Sequence, residues 1–278
     1  EDPDRLDPTL ARTFVGRLVF ANFCEKLYDI NAKLQIVPQL AAALPRFSPN
    51  GTSATIRLRT GARFNDGTRF DAQAVKTSLD RHRTLTGSVR ASELSQVTQV
   101  TVVGPRTIRL TLSEPFAPLV AQLADRAGMI MSPTQLAKLG DGFGTNPVCV
   151  GPFSFVSRTA GDRIELRKSP VYYDAKRVHL NGVVFRIMTE GTVRAQNLRS
   201  RDVQVAERLP STELRGVRND KGLLLRKSLS IGYQGITINI ANKNGLGKPP
   251  VQLNTPLARS AALREALELS LDRRTINR

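Results

Sequence analysis

The chain has 278 residues, 40% of them hydrophobic and 23% charged, so it can bury a core and its composition is not that of a disordered segment. Its 41 Lys and Arg against 24 Asp and Glu leave a formal charge of +17, which brings nucleic acid or an anionic membrane surface forward as partners. The charge is dispersed, with its densest spots at Arg81-His82-Arg83, Arg199-Ser200-Arg201 and Asp272-Arg273-Arg274, and a nucleic-acid partner is not expected without a concentrated stripe.

Residues 1–14 are a turn-prone acidic start that includes Leu6-Asp7-Pro8. Val15, Leu18, Val19, Phe23 and Leu27 then recur at helical spacing, so a helix is expected through "VGRLVFANFCEKLYDI". Prolines in "KLQIVPQLAAALPRFSPNG" exclude one continuous helix there. "TSATIRLRT" alternates as a strand does, and Asp66-Gly67 signals a tight turn between two short extended pieces. "FDAQAVKTSLDRH" predicts a helix with Asp71 as its N-cap. "QVTQVTVVGPRTIRLTLSEP" predicts two strands joined at Gly104-Pro105, and "FAPLVAQLADR" another helical stretch.

"NPVCVGPFSF" follows, with one of only two cysteines placed ahead of Gly151-Pro152. The turn itself needs no cysteine, because Gly tolerates positive φ and Pro fixes its own. Cys149 therefore has a separate task or is a small buried side chain. Next come a hairpin over "SFVSRTAGDRIELRKS" with Ala160-Gly161-Asp162 at its tip, a strand over "HLNGVVFRIM" and a short helix over "TVRAQNLRS". "RDVQVA" and "GYQGITINIAN" are further expected strands. "SAALREALELSLDRRTINR" begins a helix with Leu263, Ala266, Leu267 and Ser270 on one face. The sequence ends inside that element, so the expectation is of a cut chain whose continuation covers the face.

Several chemistries leave no trace. His82 and His179 are far apart, the two cysteines sit in separate motifs, and no zinc-type ligand cluster is visible, so both histidines read as surface or packing residues. There is no nucleophile elbow, phosphate loop or dinucleotide fingerprint, so neither an enzymatic reaction nor a cofactor is expected. Asp66, Asp71 and Asp80 read as turn or cap residues. No apolar run approaches the roughly 20 residues that span a bilayer. The chain opens "EDPDRLDP" without an initiator methionine, so the lack of a targeting signal says nothing against export.

Five ordered blocks resemble one family, the family 5 solute-binding proteins of ABC transporters, which include peptide- and nickel-binding receptors. The first is Leu6-Asp7-Pro8 followed by a helix and Pro38-Gln39-Leu40-Ala41. The second is a strand, then Phe64, Asp66, Gly67 and Thr68, then a helix carrying Ala72 or Ala74 and Val75. "NPVCVGPFSFVSRTAGDRIELRKSPVYYD", the strand bearing Asn239, and "LREALELSLDRRTI" with Asp272-Arg273 complete the set. The chain departs from the family at Cys24, where an aromatic is usual, at Cys149, where Gly is usual, and at Tyr173, where Trp is usual.

The resemblance implies a mixed α/β lobe of the periplasmic-binding-protein type II kind. Residues 1–36 and 147–260 would form a discontinuous first lobe, 37–146 an inserted subdomain, and 261–278 the start of a second lobe not present here. It implies an extracytoplasmic receptor, periplasmic or lipid-anchored and monomeric when full length. The receptor would capture a peptide-like solute between its lobes and deliver it to the membrane subunits of an ABC permease. A nickel or other small-solute receptor is the family alternative, and a basic nucleic-acid-binding module the alternative outside it. Ligand contacts are implied at Arg12, Thr13 and Phe14, at Glu207 and Arg208, and at Tyr233, Gln234 and Asn239, with no metal ligand. A single lobe would bind solute weakly. Because the two substituted family positions lie side by side in that fold, a Cys24–Cys149 disulfide is implied, against the alternative of two buried thiols.

Overall fold

The computed structural model describes residues 1–227, 235–245 and 248–276. The chain folds as two compact units, Glu1–Val217 and Arg218–Arg278.

In the first unit, helix α1 (Phe14–Phe23) buries Val19, Phe20 and Phe23 on one face. It is shorter than the apolar spacing predicts. Beyond Cys24 the backbone is drawn into tertiary bonds: Glu25 donates to the Val150 carbonyl at 2.7 Å and Leu27 to that of Gly128 at 2.9 Å. Leu27 is buried, but from an extended segment. Two short antiparallel strands follow, β1 (Tyr28–Ile30) and β2 (Ile36–Pro38).

Strands β3 (Arg46–Phe47) and β4 (Ser53–Arg57) precede helix α2 (Ala72–Thr84). Strands β5 (Val97–Gly104) and β6 (Thr107–Leu112) then close an antiparallel sheet in the order β3-β4-β6-β5. Asp71 caps α2 by accepting the Ala74 N–H at 3.0 Å. Gly67 has φ +85°, the left-handed conformation that the Asp66-Gly67 turn requires. Asp80 is neither turn nor cap: it lies within α2 and pairs with Lys76 at 2.5 Å and Arg83 at 2.9 Å.

Helix α3 (Leu119–Gln122) and a 3-10 turn at Arg126–Gly128 replace the single helical stretch expected there. After α4 (Pro133–Leu139) comes a three-stranded antiparallel sheet of β7 (Phe153–Thr159), β8 (Arg163–Lys168) and β9 (Gly182–Arg186). Helices α5 (Gly191–Arg199) and α6 (Ser211–Asn219) follow. The expected strand over 201–206 is not formed. Arg201 turns the chain at φ +70°, and the Val203 N–H goes back to the Asn197 carbonyl at 3.2 Å.

Two apolar clusters fill this unit. One packs α2 residues Val75 and Leu79 against Ile56, Val100, Ile108 and Leu110 of the four-stranded sheet, with Leu27, Tyr28 and Val150. The other gathers Leu6, Val19, Phe20, Phe23, Met129, Met131, Phe143, Phe153, Ile164 and Leu166. The Cys24–Cys149 disulfide lies within the second cluster, its Cα atoms 4.8 Å apart. Beside it, a Cβ on Gly151 would stand 2.4 Å from the Phe23 backbone. Gly151 is thus required for close approach; it is absent from the positive-φ residues, contrary to the conformational freedom expected of it.

In the second unit, α7 (Pro256–Arg259) is capped by Thr255 and α8 (Ala261–Leu269) by Ser260. The single terminal helix expected from the sequence is interrupted. The Asp272 carboxylate accepts the N–H groups of Arg274 and Thr275 at 3.0 and 3.1 Å and starts a separate turn, α9 (Arg273–Ile276). Residues 235–241 of the strand expected over 232–242 are not in a strand.

Candidate functional site

The segment before α1 is held from several sides. Asp7 accepts the Thr9 N–H on its side chain and those of Leu10 and Ala11 on its carbonyl, which closes the Leu6-Asp7-Pro8 turn. Its buried carboxylate takes both Arg81 Nη atoms, at 3.0 and 2.8 Å. Arg81 also donates to the Thr9 hydroxyl at 2.6 Å, and that hydroxyl lies 2.9 Å from His82 Nδ1. His82 Nε2 stands 3.0 Å from the Met129 carbonyl. A neutral ring that donates from Nε2 and accepts at Nδ1 satisfies both contacts. Burial drives the His82 pKa down to about 4, against the opposing pull of the Met129 carbonyl and Asp7.

Residues 11–13 are fixed next. Arg126 Nη1 donates to the carbonyls of Ala11 and Thr13 at 2.9 and 3.3 Å, and Arg90 Nη2 to that of Ala11 at 3.3 Å. From the other side the Asp4 carboxylate accepts the Arg12 N–H at 2.9 Å and the Thr13 hydroxyl at 2.9 Å. Partial burial acts to raise the Asp4 pKa, but the bonds from Arg12 and Thr13 outweigh it and the net shift is downward. With its backbone committed in this way, the segment leaves the Arg12 side chain exposed and presents Phe14 at the start of α1.

Phe14 is 46% exposed. The Arg208 guanidinium lies 4.8 Å from its ring centroid and that of Arg17 at 5.9 Å. Arg17 is held by Asp125 through two bonds. Arg208 is positioned by its backbone, at φ +55°, with its carbonyl accepting Arg194 Nη2 at 2.7 Å. Arg194 Nη1 also donates to the carbonyls of Met188 and Thr189, both at 2.8 Å, so one side chain ties three loop carbonyls together. Glu207 approaches Arg208 at 3.9 Å.

The structure therefore brings together Phe14 and Arg208, which are 194 positions apart in a single unit, with Arg12, Thr13 and Glu207 beside them in sequence. Asn239 lies in the second unit, exposed; its side chain accepts the Asn242 N–H at 2.9 Å and donates to the Asn242 carbonyl at 3.3 Å, a local turn. Tyr233 and Gln234 fall outside the described residues. The supporting residues Asp4, Arg17, Arg90, Asp125, Arg126 and Arg194 are not found by sequence reasoning. Most of their partners are backbone carbonyls or N–H groups, which leave no residue pattern.

A second buried polar group lies near the disulfide. Glu25 accepts the Tyr172 hydroxyl at 2.5 Å and the Tyr173 hydroxyl at 2.8 Å, and the Arg59 guanidinium stacks 4.0 Å from the Tyr173 ring centroid. Burial raises the Glu25 pKa, while the two phenols and Arg59 act in the opposite direction.

This is a mixed α/β fold of solute-binding type. Residues 35–278 match the family described as bacterial extracellular solute-binding proteins, family 5 Middle, and the chain belongs to that family. The glutathione-binding protein GsiB of Salmonella paratyphi A is 30% identical over 264 residues, which are 94% of this chain and 51% of that protein. The chain thus spans about half the length of the curated relatives it matches. Among solved structures, the binding protein AgaA of A. tumefaciens R10 in complex with agropinic acid has a TM-score of 0.74 at 28% identity, over 79% of this chain and 45% of that one. A nickel ABC transporter structure from Bacillus halodurans has a TM-score of 0.70 at 27% identity, over 80% and 44%.

Proposed function

We propose that the protein is an extracytoplasmic receptor that captures a peptide-like solute and delivers it to an ABC permease. Family membership supports solute capture without catalysis. The glutathione-binding relative supports the solute class, since glutathione is a tripeptide. The Cys24–Cys149 bond supports an oxidising compartment. A nickel or other small-solute receptor of the same family is the alternative, which a chelated metal would satisfy without a protein ligand set. The solute class does not call on the +17 charge, and nucleic acid is not proposed as a partner.

The observation that carries the site is the Phe14–Arg208 pair. An exposed ring beneath a guanidinium offers a solute an apolar face and a cation at one point, suited to a peptide's carbonyl or carboxylate beside a side chain. Arg12, Thr13 and Glu207 flank the pair in sequence. Within Glu1–Val217, a lobe of residues 1–36 and 147 onward with 37–146 inserted is part of this proposal; the second apolar cluster joins the N-terminal segment to Cys149, Phe153, Ile164 and Leu166 but also takes in Met129, Met131, Leu136 and Phe143.

Calorimetric titration of glutathione and short peptides into the protein expressed from its complete gene tests this reading. Arg208→Ala and Phe14→Ala should each weaken the solute that binds by about tenfold, the loss of one cation or one aromatic face that the solute contacts. Unchanged affinity in both variants, with unchanged melting, would remove the pair from the site.

A further inference from the structure

A second concentration of cations lies away from Phe14 and Arg208. Past the end of β4 the alternation continues, burying Leu58 while the flanking Arg57 and Arg59 share the other side. Backbone bonds hold this stretch in place. The Arg57 carbonyl accepts the Ala42 N–H at 2.8 Å, the Leu58 N–H donates to the Arg106 carbonyl at 2.9 Å, and the Arg59 N–H to that of Leu40 at 3.0 Å. The β4–β6 register sets Arg57 opposite Thr107, so the turn between β5 and β6 brings Arg106 alongside.

These three arginines line a hollow of about 630 Å³. A smaller hollow of about 130 Å³ shares Arg59, Thr60 and Arg106 with it and adds Arg63 and Arg69. Among the described residues, no Asp or Glu lines either one. Arg59 is held in orientation by Tyr173, whose hydroxyl is bound to Glu25, yet its buried Nε has no hydrogen-bond partner among the described residues. Five guanidinium groups around connected concavities focus a positive potential there.

We propose that this groove binds an anion carrying two or more phosphate groups, at a site separate from that for the transported solute. The size of the larger hollow falls within the range of small-molecule sites. Its charged lining residues are all arginines, which favours an anionic ligand. A guanidinium fork matches two phosphate oxygens at once. One carboxylate would engage one arginine and leave the remaining repulsion in place, whereas linked phosphates neutralise several. The phosphates could be those of a free polyphosphorylated molecule or of clustered lipid headgroups. The proposal is independent of the solute reading, because none of its residues belongs to that site.

Inorganic tripolyphosphate is the probe, titrated calorimetrically into the protein at low ionic strength and at about 0.15 M salt. One site per chain is expected, and it should persist at the higher salt. Arg57→Gln combined with Arg106→Gln should weaken binding at least about tenfold. The control pair Arg167→Gln and Arg186→Gln removes the same charge from exposed positions of β8 and β9 and should bind as the unaltered protein does. Failure of the unaltered protein to bind would overturn the site, and equal loss in both double variants would replace it with net charge alone. Sedimentation with phosphatidylcholine vesicles, with and without phosphatidylglycerol, separates the sources. Phosphatidylglycerol-dependent binding that the groove variant loses and tripolyphosphate displaces identifies headgroups. Tripolyphosphate binding without vesicle binding identifies a free anion.

Discussion

His82 shows how much one side chain records about its surroundings. Its ring is fully buried between the Thr9 hydroxyl and the Met129 carbonyl, and burial lowers its pKa from 6.5 to about 4. The unfolded chain therefore takes up a proton in that interval that the folded chain does not. Stability attributable to this group is complete above about pH 6.5 and is lost as pH falls toward 4, by on the order of 3 kcal/mol in total. Urea unfolding between pH 7 and 4 should show that decline, and it should shrink by a similar amount in His82→Asn, whatever the variant's absolute stability. Equal slopes in the two proteins would mean that His82 is not the titrating group. The sequence supports a packing role for this histidine and nothing finer, because its partners lie 73 and 47 positions away. Arg12, Phe14 and Arg208 are proposed as ligand contacts on family resemblance, and no local residue pattern marks them. Arg90 and Arg126 were not legible at all, since a guanidinium bound to backbone carbonyls looks in sequence like any surface cation.

Elements bounded by local chemistry were readable, and those bounded by tertiary contact were not. Asp71 at the start of α2, Gly104-Pro105 between β5 and β6, and Ala160-Gly161-Asp162 between β7 and β8 each act within a few residues, and all three elements form where expected. Helix α1 overran in the sequence reading because Leu27 keeps the apolar period, while the chain there bonds to Val150 and Gly128, more than a hundred residues on. The Cys24–Cys149 bond closes this junction across a separation of 125 residues, tying the segment that enters the 37–146 region to the one that leaves it. On the chain-entropy model such a closure stabilises by about 5 kcal/mol. Mass spectrometry of the denatured protein alkylated without reductant should find neither cysteine modified, and both after reduction. Two alkylated cysteines before reduction would refute the bridge and remove one support for an extracytoplasmic location. Reduction should also lower the urea midpoint of the Glu1–Val217 unit.

At the scale of the molecule, the fold class was legible because five family-like blocks occur in order along nearly the whole chain. Which solute is captured was not legible, because specificity resides in side chains that face the ligand rather than in the pattern that builds the scaffold. The charge has the same character: +17 spread along a sequence names no partner, but folding gathers Arg57, Arg59, Arg63, Arg69 and Arg106 around one groove. We propose that solute is bound against Phe14 and Arg208. A crystal structure of the protein expressed from its complete gene, with its solute bound, tests it most directly. Solute atoms are expected within about 4 Å of both the Phe14 ring and the Arg208 guanidinium, in van der Waals and hydrogen-bond contact. Solute bound elsewhere, with the ring and guanidinium still open to solvent, would contradict it.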